Sequence, residues 1–86
     1  MALKVVATRY FKRQKFTLGD PQKEALDKTV QILAKTPGIG VARKGDVRGL
    51  FSYNYQDAQG QMQLIYQFDE STLNLIGVFK LGRRKK

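Results

Sequence analysis

The chain has 86 residues, a hydrophobic fraction of 42% and a formal net charge of +9 at pH 7. These values predict one folded domain with a modest core and exclude a disordered chain. The sequence contains neither cysteine nor histidine, which excludes disulfide frameworks, thiolate metal sites and the catalytic triads that need those side chains. No apolar run approaches the roughly 18 residues of a membrane span and no signal peptide is recognisable, so we expect a cytoplasmic protein without a membrane partner.

The positive charge is the strongest global feature of the sequence. Sixteen Lys and Arg residues stand against seven Asp and Glu residues, and this excess favours a polyanionic partner such as nucleic acid, an acidic protein or an anionic membrane surface. Residues 1–19 contain five basic residues and no acidic one, and the last seven residues, KLGRRKK, contain five basic residues. The alternative is a solubilising charge with a basic tail that binds nothing.

The first half of the chain has the patterns of one strand and two helices. Residues 3–7, LKVVA, are short, mostly apolar and partly β-branched, as in a strand. Residues 9–16, RYFKRQKF, predict a short helix because their aromatic residues do not alternate. Asp20 and Pro21 predict the start of a second helix with Asp20 as its N-cap, and the helix presents one apolar face and ends before Pro37.

From residue 50 onwards the apolar residues recur at every second position. This period predicts three antiparallel strands, LFSYNY, MQLIYQF and TLNLIGVFK, and a further short strand fits residues 40–44. In the last strand, strict alternation places on one face Leu73, Leu75, Gly77 and Phe79. The predicted fold is an α+β domain of β-α-α-β-β-β order, a small twisted, mostly antiparallel sheet with two N-terminal helices packed on it. We expect one domain over residues 1–80 and a basic C-terminal tail over residues 81–86.

Metal and dinucleotide binding find little support in the sequence. The acidic residues Asp46, Asp57, Asp69 and Glu70 have no familiar ligand spacing, and the last three lie in or near turns where solvated acids are ordinary. The stretch GIGVARKG contains G-x-G without the full dinucleotide motif. We therefore expect no metal and no cofactor. What remains is phosphate-directed chemistry, in which Arg and Lys contact a charged backbone and aromatic rings stack on bases.

Three stretches resemble the RelE/ParE superfamily of toxins from bacterial toxin–antitoxin modules. They are KGDVRG at residues 44–49, QLIYQFD at residues 63–69 and LNLIGVFK at residues 73–80. The resemblance also rests on the order of the elements and implies a compact antiparallel sheet flanked by two N-terminal helices. RelE-like members cleave mRNA on the ribosome, ParE-like members poison DNA gyrase, and an antitoxin neutralises both.

The resemblance implies a nucleic-acid surface around the first hairpin. RelE-like members carry basic residues on the first hairpin strand, where this chain has Tyr53 and Tyr55, and an arginine before the L-I-Y run, where it has Gln63. Basic residues before the hairpin and in the tail would add phosphate contacts. We predict a nucleic-acid-binding surface formed by Arg43, Lys44, Arg48, Tyr53, Tyr55, Gln63 and Arg84.

The catalytic set implied by the resemblance is only partly present. A basic residue after the last strand is matched by Lys80, with Arg83 nearby, and these two are the predicted catalytic residues. The tyrosine or histidine that many members carry in a terminal segment has no counterpart in the GRRKK end. The chain is therefore an endoribonuclease only if these residues replace the usual set.

Three functional hypotheses follow from the sequence. The first, which we favour because its target suits a basic surface, is a toxin that acts as a RelE-like ribosome-dependent mRNA endonuclease, with a cognate antitoxin and ribosome-bound mRNA as its partners. The second is a ParE-like gyrase inhibitor or a catalytically inactive family member. The third is an RNA-binding module without toxic activity, which the charge alone suggests.

Overall fold

The computed structural model describes residues 2–44 and 49–81. Within these ranges the chain forms β1 (Lys4–Ala7), α1 (Arg9–Phe16), α2 (Asp20–Lys35), β2 (Val41–Ala42), β3 (Phe51–Asp57), β4 (Gly60–Phe68) and β5 (Thr72–Lys80). A 3₁₀ turn at Pro37–Ile39 joins α2 to β2. The strands lie in the order β1-β5-β4-β3-β2, with β1 parallel to β5 and all other neighbours antiparallel. The predicted α+β class with a mostly antiparallel sheet is confirmed.

One face of the sheet packs against the helices and forms the hydrophobic core. Leu26 and Leu33 of α2 and Phe11 of α1 are buried against Leu64 of β4 and Leu73 of β5. Residues seven positions apart share one side of a helix, so this packing confirms the predicted apolar face of α2. Each buried leucine contributes about 1.5–3 kcal/mol through loss of water-exposed surface. No helix in the described ranges is long and apolar enough to cross a membrane.

Side chains satisfy free N–H groups where both helices begin. Thr8 is the N-cap of α1, and its Oγ1 accepts a hydrogen bond from the N–H of Phe11 at 3.0 Å. The prediction that Asp20 is the N-cap of α2 is wrong by one residue, because Gly19 occupies that position. The Gln22 side chain accepts from the N–H of Gly19 at 3.3 Å, while the Asp20 carboxylate lies in the first turn, where it interacts favourably with the helix dipole.

Strand β5 contains one residue more than the segment of β4 with which it pairs. The consecutive residues Ile65 and Tyr66 of β4 pair with Gly77 and Leu75, so Ile76 has no residue opposite. This irregularity is a β-bulge, and a shift by one residue exchanges the faces of all the side chains that follow it.

The bulge corrects the predicted orientation of the end of β5. Val78 is buried in the core, and Phe79 pairs with Gln63 on the opposite face. The prediction that Phe79 shares a face with Leu75 is therefore wrong. We call the face away from the helices, which carries Asn54, Gln63, Ile65 and Phe79, the open face.

Helix α1 covers the edge of β5 beyond the end of β1. The side-chain amide of Gln14 donates to the carbonyl oxygen of Val78 at 2.6 Å and accepts from the N–H of Val78 at 2.8 Å. Thr8 Oγ1 donates to the carbonyl oxygen of Ile76 at 3.2 Å. Gln14 thus replaces the hydrogen bonds of a neighbouring strand and protects an edge that would otherwise be free to pair.

The substitution Gln14→Ala is expected to lower the free energy of unfolding by about 1–2 kcal/mol, because it removes the partners of both Val78 backbone groups. Urea denaturation measures this change. The control is Gln31→Ala, the same substitution at an exposed position of α2, which should change stability by less than about 0.5 kcal/mol. Equal stabilities of the two variants would show that the Gln14 bonds contribute nothing.

A buried tyrosine joins the segment after α2 to the sheet. Tyr66 is fully buried, and its hydroxyl donates to the carbonyl oxygen of Pro37 at 2.6 Å and accepts from the N–H of Gly40 at 3.1 Å. Burial raises the pKa of Tyr66, so the hydroxyl keeps the proton that it donates. Gly40 leads into β2, and the N–H of Arg43 then donates to the carbonyl oxygen of Leu50 at 2.9 Å. Tyr66 therefore fixes the segment that carries Arg43.

Candidate functional site

A pocket of about 400 Å³ lies on the open face. Its lining residues are Tyr10, Arg43, Leu50, Gln63, Ile65, Ile76 and Phe79. Leu50 and Ile65 are buried, whereas Tyr10 is 54% exposed and Phe79 is 41% exposed. The two aromatic rings lie beside each other with their centroids 6.3 Å apart. The pocket therefore combines a buried apolar part with two accessible rings.

The position of Phe79 depends on the absence of a side chain at Gly77. A Cβ atom at Gly77 would lie 3.0 Å from two atoms of the Phe79 ring and 3.3 Å from Gln14 Oε1. These distances are tighter than ordinary carbon contacts, so a larger residue at Gly77 would displace the ring or α1. The bulge turns Phe79 to the open face, and Gly77 leaves room for its ring there.

Neutral amides border the pocket on the adjoining strands. Gln63 Nε2 donates to Asn54 Oδ1 at 3.3 Å, and Gln61 Nε2 donates to Gln56 Oε1 at 3.2 Å. Among the residues that the structure describes, the lining contains one cation, Arg43, and no carboxylate. Among residues 2–44 and 49–81, no three acidic residues cluster in a way that could hold a metal ion. The pocket can thus bind apolar groups, exchange hydrogen bonds with amides and attract an anion through Arg43.

The structure places the predicted binding residues on both faces of the sheet. Arg43 and Gln63 line the pocket of the open face. Tyr53 and Tyr55 lie opposite buried residues of β4 on the other face, where they pack against the core. These two rings therefore cannot stack on a ligand that occupies the pocket.

The predicted catalytic residue Lys80 lies on the opposite face of the sheet from Gln63. Lys80 pairs with Met62, a core residue, and lines a second pocket of about 390 Å³ together with Gln14 and Gln59. This second pocket is on the helix-covered side of the sheet. The structure does not bring Lys80 together with the residues of the open face.

The remaining predicted site residues are basic and flank the hairpin or follow the last strand. Lys44 is exposed in a turn after β2 and does not line the open-face pocket. Arg48, Arg83 and Arg84 lie outside the described residues, so their assignments stay predictions.

Sequence reasoning missed the two aromatic residues that define the pocket. Neither Tyr10 nor Phe79 is among the predicted site residues, and strict alternation placed Phe79 on the wrong face of β5. Gly77 is the signal that could have found Phe79, because glycine inside a strand often marks a bulge. No comparable signal identifies Tyr10, whose neighbour Phe79 is 69 positions away in sequence.

Tyr55 has an unusual environment although it lies outside the pocket. Its hydroxyl is buried and has no hydrogen-bond partner within the part of the chain that the structure describes. Burial, and secondarily the negative charge of Asp57, raises the pKa of Tyr55 to about 12. The folded state therefore favours the protonated phenol.

The substitution Tyr55→Phe is expected to raise the free energy of unfolding by up to about 1 kcal/mol near neutral pH, because it removes an unsatisfied buried hydroxyl. The stability difference between Tyr55→Phe and the wild type should grow above about pH 10. There Tyr55 loses its proton in the unfolded state before it does so in the folded state, so the wild type loses stability as the pH rises. Urea denaturation of both proteins at about pH 7 and pH 11 measures the difference. A difference that is independent of pH would contradict the raised pKa.

Solved toxin structures share this fold. A double mutant of the E. coli toxin RelE in the free state has a TM-score of 0.74 and 18% identity, over 93% of this chain and 84% of that one. The intact E. coli RelBE toxin–antitoxin complex has a TM-score of 0.71 and 23% identity, over 95% of this chain and 100% of that one. The archaeal RelE–RelB complex from Pyrococcus horikoshii has a TM-score of 0.66 and 17% identity, over 98% of this chain and 100% of that one. At these identities the similarity concerns the fold alone.

Sequence comparison identifies the family. No curated protein sequence has significant similarity to the chain. The family model of ParE-like toxins matches residues 5–86, which is nearly the whole chain, and confirms the predicted resemblance. The chain therefore belongs to the ParE-like toxins of type II bacterial toxin–antitoxin systems.

Proposed function

We propose that this toxin arrests bacterial growth by binding a protein target through the open-face pocket. DNA gyrase is the first candidate, because ParE-like members of the superfamily poison it. The observation that carries the proposal is the composition of the pocket, in which the exposed rings of Tyr10 and Phe79 and the guanidinium of Arg43 surround the buried Ile65. Aromatic residues and arginine around an apolar centre are typical of the residues that dominate protein–protein binding energy.

The polar groups of the open face fit the same kind of partner. The amides of Gln63 and Asn54 can donate and accept hydrogen bonds at the rim while the rings are buried in the interface. Protein binding is therefore the better supported use of this surface.

Ribosome-dependent mRNA cleavage is the second candidate, and it is the function that the sequence analysis favours. The specific observation in its favour is that Arg43 and Tyr10 line the same pocket. An arginine can stabilise the charge that develops on a phosphate, and a tyrosine hydroxyl can transfer a proton. This mechanism would use these two residues in place of the predicted Lys80, which lies on the other side of the sheet.

A cognate antitoxin is the second proposed partner. Type II systems pair each toxin with a protein antitoxin, and two of the similar structures are toxin–antitoxin complexes. Gyrase, ribosomes and a type II antitoxin all act in the bacterial cytoplasm, so we also propose a cytoplasmic location.

Three measurements test this proposal: growth and mRNA 5′ ends in one bacterial strain, and gyrase supercoiling in vitro. Brief induction of the full chain should arrest growth, and the purified chain should inhibit gyrase supercoiling in vitro, while mapping of mRNA 5′ ends shows no new ends. Codon-phased new ends with normal supercoiling would overturn the proposal in favour of the second candidate. Growth arrest with neither effect would exclude both gyrase and mRNA as targets.

A further inference from the structure

Helix α1 exposes a stripe of three cations and one aromatic ring. At about 100° per residue, Arg9, Lys12, Arg13 and Phe16 fall within one side of the helix, opposite the buried Phe11. All four are exposed, and Phe16 is 80% exposed. We call these four residues the α1 stripe. It is separate from the open-face pocket, to which α1 contributes Tyr10.

The cations of the α1 stripe have no acidic partners among the described residues. The ion pair that the described residues form joins Lys15 to Asp27 at 2.6 Å, and Lys15 lies outside the stripe. The first turn of α1 contains no acidic residue, so Arg9 lies near the helix N-terminus without compensation. Arg9 and Arg13 are four positions apart, a spacing at which like charges destabilise a helix by about 0.2–0.5 kcal/mol.

This arrangement differs from an ordinary solubilising surface. Solubility is served by interspersed charges of both signs, and such a mixture would stabilise α1 through pairs between neighbouring turns. The α1 stripe instead concentrates one sign at a cost in helix stability. A polyanion bound along the stripe would remove that cost, because its charges would neutralise the cations.

The ring of Phe16 indicates what kind of polyanion fits. Lys23 Nζ lies 5.9 Å from the centroid of the Phe16 ring, so the ring is already bordered by a further cation. Exposed rings set among cations are the arrangement with which proteins bind single-stranded nucleic acid, because bases stack on the rings while the cations contact phosphates. We propose that the α1 stripe binds single-stranded nucleic acid without sequence specificity.

An anionic membrane surface fits the α1 stripe less well. A helix that lies in a membrane interface buries a broad apolar face in the lipid. The apolar side of α1 is occupied, because Phe11 is buried in the core, and the α1 stripe offers one ring, that of Phe16. The proposal is independent of the growth-arrest mechanism, because it concerns a different surface and a different readout.

The test measures fluorescence anisotropy of labelled oligo(dT) and oligo(U), each about 12 nucleotides long, with the full chain produced in a cell-free system. We expect binding that weakens with salt. The variant Arg9→Gln/Arg13→Gln should reduce the slope of log K against log salt by about 1.4, since each single-strand phosphate contact contributes about 0.7. Comparison of the two oligonucleotides shows whether RNA or DNA is preferred.

Two further variants make the result specific to the α1 stripe. Lys28→Gln/Lys35→Gln removes the same charge from exposed positions of α2 and should leave the slope unchanged. Phe16→Ala should weaken binding about fivefold or more without changing the slope, because stacking is lost while the phosphate contacts stay. Circular dichroism checks that each variant is folded.

Three results would overturn the proposal. An equal decrease of the salt slope in the α1 and α2 charge variants would show that only the net charge of the chain matters for binding. An unchanged affinity after Phe16→Ala would exclude stacking on the ring. Binding to vesicles of anionic phospholipid without binding to either oligonucleotide would assign the α1 stripe to a membrane surface instead.

Discussion

The substitution Gly40→Ala is expected to lower the free energy of unfolding by about 1–3 kcal/mol, as overpacking of a well-packed site does. A Cβ atom at Gly40 would collide with the hydroxyl oxygen of Tyr66 and would lie 2.9 Å from the carbonyl oxygen of Ser52. The buried Tyr66 cannot move away without losing its bonds to Pro37 and Gly40. We also expect displacement of the segment that carries Arg43, with a corresponding loss of toxicity.

The matched control for Gly40→Ala is Gly38→Ala. A Cβ atom at Gly38 would meet no atom within 4 Å. Neither Gly38 nor Gly40 has a positive φ, so the backbone conformation permits alanine at both positions and the two variants differ in their contacts. Gly38→Ala should therefore be neutral or slightly stabilising. Adding Tyr66→Phe should recover part of the loss in Gly40→Ala, because the colliding oxygen is absent. Equal melting temperatures for the two alanine variants would contradict this account of the Gly40 contact.

The substitution Phe79→Gln is expected to abolish most of the toxicity while leaving the domain folded. Removal of a residue that dominates an interface costs about 2 kcal/mol or more, which corresponds to roughly 30-fold weaker binding. The loss of the contact with Tyr10 costs the fold about 0.5–1.5 kcal/mol, which a stable domain tolerates. Growth after graded induction, with the amount of protein measured in parallel, gives the change in toxicity.

The substitution Ile32→Gln provides the control for Phe79→Gln. Ile32 lies on α2 and is 46% exposed, close to the 41% of Phe79, so both changes remove a half-exposed apolar side chain. Ile32 is absent from the lining of the open-face pocket. Full toxicity of the Phe79 variant, or an equal loss in both variants, would show that the pocket is not the surface that binds the target.

Local patterns in the sequence were sufficient for most of the secondary structure. The bounds of α1, Arg9–Phe16, are those predicted from aromatic residues that do not alternate as a strand requires, and α2 ends at Lys35 before Pro37, which disfavours helix in the residue before it. The alternation in β4 puts Leu64 and Tyr66 on one face, and both are fully buried. These features depend on neighbours within a few positions, which one segment of sequence contains.

The sequence by itself thus determined the helices, the strands, the family resemblance and the basic charge, whereas the tertiary structure decided which side chains share a surface. Phe79 reaches the open face because Ile76 forms a bulge, and that bulge exists only in the pairing of β5 with β4. Gln14 protects the edge of β5 by bonds to Val78, 64 positions away. Register and edge contacts arise from hydrogen bonds between distant segments, and a one-residue shift reverses every side chain beyond it. No pattern within a single strand records where that shift occurs.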